Sequence, residues 1–183
     1  MQTLTTPDSD LLERARAYES EALAEIYDCY AMAIYRYLYR YLGDAAQAED
    51  LTSEVFLRLL QALNTSRAPR DKLQGWLYRV AHNLAMDWFR QSTRVADATL
   101  DVDLVAGGTS PSKMVEEPQA QQAVRAALRK LTSSQQQVII LRFGEGLKIS
   151  EVSQIMGKSE GAVKILQHRA IKRLQKLLEQ TGM

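Results

Sequence analysis

Near the end of the chain, Gly161, Lys164, Ile165, His168, Lys172 and Lys176 recur at spacings of three and four, with Arg169 at their margin. On a helix that spacing gathers them on one face. A helix that enters a DNA major groove needs small residues in its first turns to approach base edges, then cations to meet phosphates. This segment supplies both in that order, and Ser159 stands ready to cap it. A second set lies between Arg67 and Arg94, where cations alternate with Trp76, Tyr78, Trp88 and Phe89. Cations for the backbone together with aromatic or amide groups for exposed bases hold single-stranded DNA. Asn83 can pair with a base edge while Arg79 and Arg90 reach phosphates; Arg70, Lys72 and Asp87 complete the residues expected at this surface. Both sets perform binding, not covalent chemistry.

Other chemistries lack their parts. The single Cys29 forms no internal disulfide, and two histidines, His82 and His168, are too few for a zinc-ligand cluster. Neither histidine has a Ser or Cys partner in a hydrolytic pattern, and there is no Gly-rich phosphate loop. An enzyme is therefore not expected, nor a metal, a cofactor or a small-molecule substrate. The start of the chain has neither a cationic stretch nor an apolar run, and no segment approaches the ~20 apolar residues of a membrane span. Membrane insertion is not expected, and a cytoplasmic location is.

The elements that must position these residues read as helices. Leu23, Ile26, Tyr27, Tyr30, Ile34, Tyr37, Leu38 and Tyr41 make one apolar stripe that halts at Gly43. Asp44 can cap the next helix, with Ala48, Leu51, Val55, Leu59 and Leu63 inward and Glu49, Asp50 and Glu54 pointing elsewhere. A polar, Pro-containing stretch from Asn64 to Asp71 leads to a third stripe: Leu73, Leu77, Val80, Leu84 and Trp88. The same stripe predicts Trp76 in the core, and Cys29 reads as a buried apolar filler. From Thr93 to Pro118 periodicity fails, and Gly107-Gly108-Thr109-Ser110-Pro111-Ser112 is linker chemistry. Beyond it Val124, Leu128, Leu131, Val138, Ile139 and Leu141 restore helical spacing. Ser150 is expected to cap a short helix that ends at Gly157 before the basic one begins, which is helix-turn-helix logic.

The predicted fold is all-α: two small helical bundles, residues 1–92 and 120–183, joined by a flexible linker over 93–119, the second bundle containing a helix-turn-helix. At 183 residues, 46% hydrophobic and 25% charged with only 9 Gly and 4 Pro, the chain has a globular composition. The net charge of +1 conceals segregation: −6 over residues 1–66, +4 over 67–94, −4 over 95–124 and +7 over 125–183. Two basic blocks between acidic ones fit two nucleic-acid contacts, with acidic surface left for protein partners.

Three motifs, taken in order, resemble the extracytoplasmic-function sigma factors of bacterial RNA polymerase. Ala48 to Arg58 is similar to the segment that docks on the polymerase clamp helices, which implies Glu49, Asp50, Ser53 and Glu54 as polymerase contacts. Gly75 to Asp87 resembles the helix that opens and reads the minus-ten promoter element. Leu131 to Phe143, then Glu151-Val152 and Gly161 to Ala170, resemble the domain that binds the minus-thirty-five element. Ser53 replaces the family's usual Gln, and Ile165-Leu166-Gln167 a commoner Ser-Arg-Leu. The resemblance implies core polymerase (clamp helices and flap) and promoter DNA as partners, capture of a flipped base by the segment Asn64 to Leu73, and an anti-sigma protein as the regulator of many members. The residues alone leave a second reading open: a stand-alone helix-turn-helix regulator with a helical dimerisation or sensing domain.

Overall fold

The computed structural model describes residues 8–69, 72–98 and 119–180, with side chains for 10–69, 72–92 and 122–180. Eight α-helices and one π-turn carry the described residues, and no strand occurs among them. The chain divides into two compact units, residues 1–84 and 85–183. None of the described helices is long and apolar enough to cross a membrane.

The first unit is built from α1 (Asp8–Arg16), α2 (Ser20–Leu42), α3 (Ala45–Ala62) and the start of α4 (Leu73–Ala98). The stop expected at Gly43 is present: with φ at 76° this residue takes the left-handed conformation that glycine adopts without a Cβ penalty, and its N–H returns to the Tyr39 carbonyl at 2.8 Å. Asp44 then caps α3 by accepting the Gln47 N–H at 3.2 Å. One glycine and one aspartate thus turn α2 back onto α3.

Ile26, Ile34, Leu38 and Tyr41 of α2 meet Val55 and Leu59 of α3 in a core closed by Leu73, Leu77, Tyr78 and Ala81 of α4. Tyr37 lies at its centre, fully buried, with ring centroids 5.1 Å from Tyr41 and 5.2 Å from Tyr78. Such tilted and edge-to-face pairs add to the burial itself. The one polar side chain buried on α3, Thr52, is satisfied by donating to the Ala48 carbonyl at 2.6 Å.

Four residues on α2 and α4 depart from the expected stripes. Cys29 is exposed instead of buried. Tyr27 is 50% exposed, its ring resting on Phe56 at 4.9 Å. Trp76 and Trp88 are only half-buried, with Trp88 packed edge-on against Phe89 at 5.1 Å. Helix α4 also continues to Ala98, past the point where apolar periodicity fails; the remainder of the expected linker, 99–118, lies outside the described residues.

The second unit contains α5 (Gln119–Arg129), α6 (Ser133–Ile139) running into the π-turn Ile140–Gly144, α7 (Ile149–Met156) and α8 (Glu160–Glu179). A reciprocal capping box starts α6: Thr132 Oγ1 accepts from Gln135 N at 3.3 Å, and Gln135 Oε1 accepts from Thr132 N at 3.2 Å. Ser150 is not the cap of α7. The cap position is Lys148, two residues earlier, with Glu151 reaching back to accept the Lys148 N–H at 2.6 Å, while Ser150 lies inside the first turn. Gly157, at φ 62°, makes the tight turn, and Ser159 accepts the Ala162 N–H at 3.2 Å to begin α8. Val152, Ile155, Val163 and Ala170 bury the α7–α8 seam against Val138, Ile140 and Leu141.

Candidate nucleic-acid interface

Helix α8 presents the expected face to solvent. Ser159, Gly161, Lys164, His168, Arg169 and Lys172 are all exposed, and Ile165 is 55% exposed between them. A Cβ built on Gly161 would meet nothing within 4 Å, so the first turn is open for close approach. Past Glu160 the helix has no acidic residue before Glu179, so Lys164, Arg169, Lys172, Arg173 and Lys176 form an unbroken cationic flank. Its N-terminal end also carries the partial positive charge of unpaired backbone N–H groups.

The orientation of this face is fixed from behind. Arg142, in the π-turn, donates from Nε to Gln167 Oε1 at 3.3 Å and from Nη1 to the Leu147 carbonyl. One guanidinium therefore joins the loop before α7 to the inner side of α8.

In the first unit, a cleft of about 560 Å³ opens between the loop after α3 and the first turns of α4, lined by Arg67, Ala68, Pro69, Lys72, Trp76, Arg79, Val80 and Asn83. The loop is ordered by its own bonds: Thr65 N to Ala62 O at 2.8 Å, Ala68 N to Thr65 O at 3.2 Å, and Arg67 N to Thr65 Oγ1 at 3.2 Å. Trp76 holds the loop to α4 by donating its indole N–H to the Arg67 carbonyl at 3.1 Å. The ring thereby becomes a wall of the cleft instead of core. Arg79 Nε donates to the Gly75 carbonyl at 3.3 Å, which draws its guanidinium toward the same opening. Three cations, an indole and a carboxamide converge on a space large enough to admit a nucleotide.

Of the residues expected at the minus-ten surface, Lys72, Arg79 and Asn83 line this cleft. Asp87 and Arg90 do not; they pair with each other farther along α4. Arg70 lies outside the described residues. Arg67, Ala68, Pro69 and the wall role of Trp76 were not assigned individually from sequence. The signal was present in the spacing, since Trp76, Arg79, Val80 and Asn83 stand at i, i+3, i+4 and i+7 on one helix face.

On α3, Glu49, Asp50 and Ser53 are exposed and Glu54 is half-buried. Glu54 pairs with Arg58 at 2.8 Å, and Ser53 turns its hydroxyl back to the Glu49 carbonyl at 3.2 Å. Leu57 and Leu60 are exposed on the same helix, so the acidic groups border an apolar strip.

His82, one residue before Asn83, points the other way. Its Nδ1 lies 3.2 Å from the Tyr37 hydroxyl and its ring packs edge-on to Tyr41 at 5.5 Å; burial lowers its pKa to about 4. An unfolded chain takes up that proton near the ordinary value of 6.5. Between these values the unfolded state binds more protons, so the stability contributed by His82 is complete above pH 6.5 and is lost as the pH falls toward 4. The expected slope is at most ~1.4 kcal/mol per pH unit. Urea unfolding of His82→Gln over this window should show a flatter pH dependence than the parent; parallel curves would refute the assignment.

The sequence matches two family descriptions, Sigma-70 region 2 over residues 26–95 and Sigma-70, region 4 over residues 127–176. Helix α1 precedes both. The chain is 40% identical over 171 residues to the ECF RNA polymerase sigma factor BldN of Streptomyces coelicolor, a match that takes in 92% of this chain and spans 65% of that protein's length. It is 32% identical over 165 residues to the ECF RNA polymerase sigma factor SigX of Bacillus subtilis, covering 87% of this chain and 84% of that one. Among solved structures, the sigma factor RpoE, in complex with the anti-sigma factor NepR from Bartonella quintana, shares the fold with a TM-score of 0.61 at 22% identity, over 85% of this chain and 96% of that one. A stand-alone regulator would not account for region 2 and region 4 in this order. The chain belongs to the extracytoplasmic-function family of RNA polymerase sigma factors.

Proposed function

We propose that this sigma factor binds core RNA polymerase and directs it to specific promoters, reading duplex minus-thirty-five DNA with α8 and melting the minus-ten element with α4 and its preceding loop. The observation that carries this reading is the cleft at Trp76, where cations, an aromatic face and an amide meet. Unstacking a base costs a few kcal/mol, and a pocket of this kind recovers it by stacking and hydrogen bonding. Melting is thereby offset by binding, and this subunit carries out no covalent step.

The division of labour follows the charge pattern. Residues 1–92 form the polymerase-docking and minus-ten domain, 93–119 the linker, and 120–183 the minus-thirty-five domain. Lys72, Arg79 and Asn83 hold the unpaired strand at the cleft, with Arg70, Asp87 and Arg90 extending its path. Glu49, Asp50, Ser53 and Glu54, beside exposed Leu57, meet the clamp helices, and the second domain meets the flap. The chain acts in the cytoplasm, and an anti-sigma protein is the class of regulator extended to it from the family.

Run-off transcription with core polymerase on a promoter library tests the reading: specific initiation should appear only when this protein is added, and no template gaining initiation would overturn it. Within α8, Lys164→Ala and His168→Ala should change discrimination among minus-thirty-five sequences by about 1–3 kcal/mol, the scale of a base-edge contact. Arg169→Ala should instead weaken duplex binding on all sequences and flatten its salt dependence. Fluorescence anisotropy on cognate and scrambled duplexes separates the two; equal losses on all sequences for all three variants would contradict the division.

A further inference from the structure

Helix α1 reaches the cleft without lining it. Arg16, at its C-terminal end, donates from Nη2 to the carbonyl of Pro69 at 3.0 Å, across 53 positions of sequence. Pro69 is buried and forms part of the cleft wall. Proline has no N–H, so its carbonyl is the one backbone group by which the wall can be held at this point. The wall is therefore gripped from two sides, by the Trp76 indole at Arg67 and by the Arg16 guanidinium at Pro69.

The Arg16 Nε–H is buried and has no hydrogen-bond partner. Burying a donor of a charged group without a partner destabilises a fold, and an apolar side chain of similar length would avoid that cost. Stability alone gives no reason for a guanidinium here; a directed bond to the Pro69 carbonyl does. We propose that Arg16 is a positioning residue for the cleft, setting the loop wall from α1 so that the space between Pro69 and Trp76 is preformed for an unpaired base.

The proposal rests on the reading of the cleft as a base site, and one experiment keeps the two apart. Full-length protein with core polymerase is titrated against a fluorescent single-stranded oligonucleotide of the non-template minus-ten element, and against copies that each carry one abasic position. For the parent protein, one abasic position should weaken binding about tenfold, the scale of one stacked base. For Arg16→Met, binding of the intact strand should fall toward that level while binding of the abasic strand is unchanged, so that the penalty shrinks to about twofold. Its melting temperature should stay close to the parent's, because the freed Pro69 carbonyl offsets the relief of the buried Nε–H. Arg16→Gln, too short to reach the carbonyl, should behave alike and serves if the methionine variant does not fold. A full tenfold penalty in these variants overturns the role of Arg16 and leaves the base site standing. Equal losses on intact and abasic strands, with a lower melting temperature, make Arg16 structural and also overturn it. No abasic penalty in the parent removes the base site and the proposal together.

Discussion

Tyr37→Ala should destabilise the first unit by about 3–5 kcal/mol, the scale of truncating a fully buried aromatic residue. The ring is enclosed by Tyr41 and Tyr78, and its hydroxyl faces His82 Nδ1. Truncation opens a cavity and removes one hydrogen-bond partner of a half-buried histidine. Against a total of about 5–15 kcal/mol for an ordinary domain, such a loss leaves little in reserve. Tyr37→Phe keeps both ring contacts and should cost only about 1–2 kcal/mol, the value of the hydroxyl bond. Urea unfolding followed by circular dichroism compares the two; an alanine variant no less stable than the phenylalanine one would mean that the aromatic cluster is not what holds α2 to α4.

Trp76→Ala should reduce open-complex formation on duplex promoters by about 5- to 150-fold, corresponding to ~1–3 kcal/mol for one stacked base. Closed-complex affinity should be kept, because α8 and its cations are untouched. Asn83→Ala should act in the same direction by a smaller factor. Trp76→Phe retains an aromatic wall but loses the indole N–H bond to Arg67, and should keep most of the melting activity. Permanganate reactivity of unpaired thymines measures melting, and gel shift on ice measures the closed complex. Normal permanganate reactivity in the alanine variant would make Trp76 a structural wedge.

The helices and most of their ends were legible because the signals are local. Gly43, Asp44, Gly157 and Ser159 each act through backbone groups within four residues, and each does what its type predicts. Ser150 was misread because Glu151 reaches back to a cap position, Lys148, two residues earlier. Cys29 was misread although its position carried the information: at about 100° per residue it lies roughly a third of a turn from the centre of the α2 stripe, beyond the buried sector. Trp76 sits at the margin of its stripe, where periodicity cannot separate core from cleft wall. That choice is made by the loop from Asn64 to Pro69, folded back by contacts with Trp76 and with a helix more than fifty residues upstream. The charged faces of α3 and α8 were legible as faces, since side chains that nothing covers remain where helical spacing puts them.

Helix α8 touches its own protein along a narrow seam: of its 20 residues, only Val163 and Ala170, two turns apart, are buried. Its rise of 1.5 Å per residue makes it about 30 Å long. Much of this rod's circumference already faces water in the free protein, so inserting it into a groove breaks no internal packing and demands no refolding. What docking must overcome is displaced water and the stilling of a few long side chains, a toll set by the surface and not by the scaffold. Substitutions on the outward face can therefore retune what is read with little penalty in foldedness, which lets sequence preference drift while the architecture stays put.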